Sequence, residues 1–62
     1  MTQKELLYLE DAVKHESNIV KVLEESISFL DDDDLISFME SEKKKHNNMI
    51  KKLMDTLESE AN

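Results

Sequence analysis

Three side chains in this chain are able to do chemistry where apolar residues are expected. Leu6, Leu9, Val13, Glu16, Val20, Leu23, Ile27 and Leu30 follow a 3-4 spacing in the first half, and Leu35, Met39, Glu42, His46, Met49 and Leu53 do so in the second. Such a stripe specifies a helix face that must be buried. Glu16, Glu42 and His46 interrupt it, and a carboxylate or imidazole buried there costs desolvation energy unless it is paired, hydrogen-bonded or metal-bound. His15 adds a nitrogen beside Glu16. Two chemistries follow: a metal site drawing on Glu16, Glu42, His46 and His15, with iron or zinc as the ion, or a buried Glu–His network that fixes helix register. The register device is the reading we carry forward, because core histidines are more often satisfied structurally than ligating.

Other catalytic constellations fail on the residues. Ser17, Ser26, Ser28, Ser37 and Ser41 are scattered, with no base and orienting partner at nucleophile spacing. Glu16 and Glu42 are conceivable as a general acid/base pair, but two short helices offer no substrate pocket. The methionines of the second half read as gap-filling core rather than a soft-metal site. No catalytic residue and no cofactor-binding residue is therefore assigned, and the chain is not expected to be an enzyme.

The elements that position these residues are two helices. Thr2 and Glu5 form a T-x-x-E capping box at the start of the first, predicted over residues 3–30. The run Asp31, Asp32, Asp33, Asp34 is the one break. Aspartate competes with the backbone inside a helix but suits a cap and a first turn. This predicts a turn at 31–32, with Asp32 capping a second helix over 33–57. A calcium loop is disfavoured, because the run lacks the glycine and distal bidentate glutamate of an EF-hand. If Leu30 faces Leu35, residue 16 lies level with 49 and residue 19 with 46, leaving Glu16 and His46 three residues, or ~4.5 Å, apart in height. Apolar residues also flank both stripes: Ala12, Ile19, Tyr8, Val22 and Phe29 in the first half, Ile36, Ile50 and Leu57 in the second. That face is wider than one neighbouring helix covers, which predicts an all-α antiparallel hairpin, a single domain over 1–62, that forms a four-helix bundle as a homodimer. A twofold dimer would present four carboxylates and two imidazoles, the ligand count of di-iron carboxylate bundles. The spacing Glu42-x-x-x-His46 departs, however, from their Glu-x-x-His.

Composition removes most other functions. A chain of 62 residues supports one domain and a thin core, so a staple or oligomerisation is needed. Cysteine is absent, which leaves oligomerisation. Glycine and proline are also absent, excluding Gly-rich phosphate loops and tight β-hairpins. Eight lysines, no arginine and 15 acids give a net charge of −7, the wrong footprint for nucleic acid. No apolar run approaches the ~20 residues of a membrane span, and the N-terminal residues lack signal-peptide character. A cytoplasmic location is expected.

The segment Lys4-Glu5-Leu6-Leu7-Tyr8-Leu9-Glu10-Asp11-Ala12-Val13-Lys14-His15-Glu16 resembles the opening of small spore-coat-F-like proteins of endospore-forming bacteria. The acidic turn before Leu35, the central His46 and the tail Met49, Ile50 and Leu53 are similar to the rest of that pattern. The resemblance implies a ferritin-like helical hairpin, half of a four-helix bundle, spore-associated or otherwise cytoplasmic, with His15, Glu16 and His46 as the matched positions. The expected function is thus a non-enzymatic structural or interaction protein, with a possible protein partner beyond its own second copy. Behind it stand a metal-binding mini-bundle and a small acidic inhibitor of a basic partner.

Overall fold

The first helix, α1 (Gln3–Ile27), begins where the capping box places it. Thr2 is extended; its hydroxyl accepts the Glu5 N–H at 3.1 Å, and the Glu5 carboxylate accepts the Thr2 N–H at 2.9 Å. Two orphan donors are thereby satisfied. The Thr2 backbone bond first, and the hydroxyl contact second, hold the exposed Glu5 carboxyl below its ordinary value, since both favour the charged form. The computed structural model describes residues 1–60 and the backbone of residue 61.

The first helix stops at Ile27, three residues short of the expected end. Phe29 N–H donates to Ser26 C=O at 3.0 Å and Leu30 N–H to Ile27 C=O at 3.1 Å, the tighter i→i+3 pattern that closes a helix. The Ser28 hydroxyl donates to Glu25 C=O at 2.6 Å. With Glu24 and Glu25 at the negative end of the dipole and four aspartates following, continuing the helix is electrostatically unfavourable. The connection is therefore residues 28–32 rather than 31–32. The second helix, α2 (Asp33–Ala61), starts as expected: Asp32 Oδ1 accepts the Leu35 N–H at 2.9 Å, and Asp33 and Asp34 fill the first turn. It runs past the expected end at 57, because nothing in Glu58, Ser59 and Glu60 breaks a helix.

Antiparallel packing of α1 on α2 forms one seam. On α1 the expected stripe holds, with Leu6, Leu9, Val13, Glu16, Leu23, Ile27 and Leu30 half-buried and Val20 buried. On α2 the seam is rotated from the expected one. Ile36, Met39, Lys43, His46, Ile50, Leu53 and Leu57 face inward, while Leu35 and Met49 lie nearly half exposed. Both rows share Met39, His46 and Leu53. The observed row gains Ile36, Ile50 and Leu57, and it brings Lys43 in beside Glu42, the two side chains being equally half-buried. A lysine stem can lie along apolar surface and still deliver its charge to water. Lys43 Nζ reaches the rim to lie 3.8 Å from both Glu24 and Glu40.

The resulting rod measures 45 × 14 × 11 Å, and Val20 is its one buried apolar residue among those described. No helix among the described residues is long and apolar enough to cross a membrane.

Two outcomes follow from the caps. Asp32→Ala should lower stability by ~1 kcal/mol in urea or thermal unfolding, with no change in calcium response. Because the folded Glu5 carboxyl is held below its usual 4.5, its contribution is complete above that value and is lost as pH falls through the lowered one. Amide hydrogen exchange at Glu5 and Leu6 should accelerate selectively in that acid range relative to mid-helix amides, and Glu5→Gln should remove this extra pH dependence.

Candidate functional site

Glu16 projects from the middle of α1 into the seam, and His46 projects to meet it from α2. His46 Nδ1–H donates to Glu16 Oε2. The glutamate side chain is 16% exposed and the imidazole 27%, so the pair sits inside the rod with one edge in water. This contact corrects the register expected from a two-residue turn. Residues 16 and 46 are level, whereas the shorter turn put 16 against 49. The connection over 28–32 uses three residues that the shorter turn left in the first helix, and every cross-seam level shifts by that amount.

The other expected ligands stay apart. Glu42 is half-buried at the edge of the seam and accepts from Lys45 Nζ at 3.3 Å. By helical rise it stands four residues, or ~6 Å, from the His46 level. His15 lies exposed on the outer flank of α1. Among the described residues no three of His, Asp or Glu gather as a metal cage. The hairpin thus brings together Glu16 and His46 and leaves Glu42 and His15 outside.

What the pair can do follows from its donor inventory. With Nδ1–H engaged by the carboxylate, only Nε2 of His46 is free, as an acceptor or as a single ligand oriented from behind by Glu16. One nitrogen is too few for a four-coordinate zinc or an octahedral iron site within one chain. Glu and His in contact can also pass a proton. A shallow cavity of about 430 Å³ lies at the open end of the hairpin, lined by Thr2, Leu6 and Leu57 among others, ten residues or ~15 Å away along the axis. As a structural device the pair is complete. No buried side-chain nitrogen or oxygen among the described residues lacks a partner.

Compared with family models, curated proteins and solved structures, the chain matches none.

Lys43 is the seam residue that the stripe at 35, 39, 42, 46, 49 and 53 passes over. The signal was present in the row 36, 39, 43, 46, 50, 53, 57, which keeps the 3-4 spacing for one more turn and includes Leu57. A lysine within a heptad row reads as an interruption until its stem is counted as apolar.

The pair makes an asymmetric mutational prediction. His46→Leu leaves a desolvated carboxylate without its donor and should cost ~1–3 kcal/mol. Glu16→Leu removes the group with the larger desolvation cost and should be neutral or stabilising, as should Glu16→Leu combined with His46→Leu. Urea unfolding of the three variants gives the comparison. Equal losses in both single variants would mean that the pair contributes net stability rather than register.

Proposed function

We propose that this hairpin is a non-enzymatic structural or interaction protein that works as a homodimer, two copies completing a four-helix bundle. The observation that carries the reading is the surface left over. The chain exposes 4990 Å², whereas a folded monomer of 7.3 kDa exposes about 4,200 Å². The excess, about 800 Å², equals what one partner contributes to a standard protein interface. It includes large apolar side chains: Phe29 is 86% exposed, Tyr8 63% and Phe38 59%. Single exposed apolar residues are ordinary, but contiguous rows of them mark an interaction face.

A non-enzymatic role accords with a central pair satisfied internally and remote from the cavity at the open end. The likeness of residues 4–16 to spore-coat-F-like proteins points in the same direction. It adds a cytoplasmic, spore-associated setting and a ferritin-like bundle type to the proposal.

Sedimentation at micromolar concentration tests it directly. About twice the 7.3 kDa chain mass is expected, with an unfolding midpoint that rises with concentration because association stabilises the folded state. A monodisperse monomer that unfolds cooperatively would overturn the proposal.

A further inference from the structure

On α1 a second 3-4 row runs beside the seam, from Tyr8 through Ala12, His15, Ile19 and Val22 to Ser26, and Phe29 follows it in the connection. Ala12, Ile19 and Ser26 are half-buried at its inner edge, and Tyr8, Val22 and Phe29 stand out in water. In an antiparallel helix pair the corresponding flanks of the two stripes fall on the same side. The flank of α2 that shares this side carries Leu35, Phe38 and Met49, all 45% exposed or more. The opposite side presents Lys14, Lys21, Lys44 and Lys51 with Glu10 and Glu24, and with two exposed apolar residues, Leu7 and Met54. Most of the exposed apolar side chains lie on one broad side of the rod, beside Lys45 and Lys52, and most of the charges of the two flanks lie on the other.

Charge along the rod is equally uneven. Residues 22–42, the turn end, hold eight acids and no lysine, so all eight lysines lie outside them. We propose that a second copy of this chain seats on the apolar side with its direction reversed, turn end against open end, about a twofold axis perpendicular to the helices. The inference rests on the self-assembly reading above and supplies its geometry.

The charge distribution selects this direction. With the turns together, two stretches of eight acids would lie side by side, within one or two Debye lengths of each other. Reversed, each turn end lies beside residues 3–12 and 50–59 of the other copy, where Lys4, Lys51 and Lys52 offset all but two of five acids.

The chain has no cysteine, so a single introduced one reports the arrangement cleanly. Asp31→Cys places a spin label in the exposed turn, and Ser59→Cys places one at the open end. Reversed packing puts like labels about 28 residues apart in height, or roughly 40 Å, for each variant. Double electron–electron resonance on the dimer should read that distance at both positions. A distance below about 20 Å at either label in a sample that sediments as a dimer would overturn the orientation while leaving self-assembly standing. A sample that sediments as a monomer would remove both.

Discussion

A two-helix hairpin owns one seam, and each helix can turn only about a third of its circumference into it. Everything else in this chain responds to that limit. The apolar arc on α1 extends from the Leu6–Leu30 stripe through Ala12 and Ile19 to Tyr8 and Val22, so packing against α2 leaves its outer part in water. Among the described residues only Val20, near the centre of the seam, has neighbours enough to be buried. Residues on either side of it remain half-buried because nothing lies above or below the pair of helices.

Charge inside the seam works within the same limit. Glu16–His46 and Lys43 divide the contact into two apolar stretches, one toward the turn with Leu23, Ile27, Ile36 and Met39, the other toward the open end with Leu9, Val13, Ile50 and Leu53. Sliding α2 by a turn would still match leucine to isoleucine, but in one direction it would strand Glu16 against Ile50, and in the other it would move Glu16 to Lys43 and leave His46 against apolar surface. The polar pair therefore distinguishes the native alignment from its neighbours more sharply than the apolar residues do, at some expense in stability. Lys43 differs in kind. Its charge stays at the rim and its stem completes the packing.

The residues made the two helices, both caps and the α1 face legible. Thr2 with Glu5 and Asp32 with Leu35 are local chemistry, decided within one turn of chain. What the sequence left open was relational. The end of α1 depends on the mutual repulsion of Glu24, Glu25 and the aspartate run, and Leu30 still closes the seam from outside the helix. That kept the stripe intact while it hid the earlier stop. The length of the connection then shifted every cross-seam level by three residues, which turned Glu16 and His46 from near neighbours into direct partners. On α2 the apolar arc was wide enough for two rotations. Choosing between them required knowing that Lys43 can serve as seam residue and that Leu57 has Leu6 at its level to pack toward. The same wide arc obscured Glu42, which a helix wheel places in the stripe and the fold places at its edge.

The connection over residues 28–32 contains no glycine or proline, and no residue among those described has a positive φ. Nothing in its backbone geometry forbids the two helices from joining into one long rod. The fold is held back on itself by electrostatics and by the Asp32 cap, and by the high effective concentration that a short tether gives the two halves. An opened chain could remake the same seam, Glu16–His46 included, only with a second molecule, as an exchanged pair of long helices. The seam alone does not choose between these topologies. The choice rests with the aspartates, which make the interior of a continuous helix an unfavourable place for this stretch of chain to be.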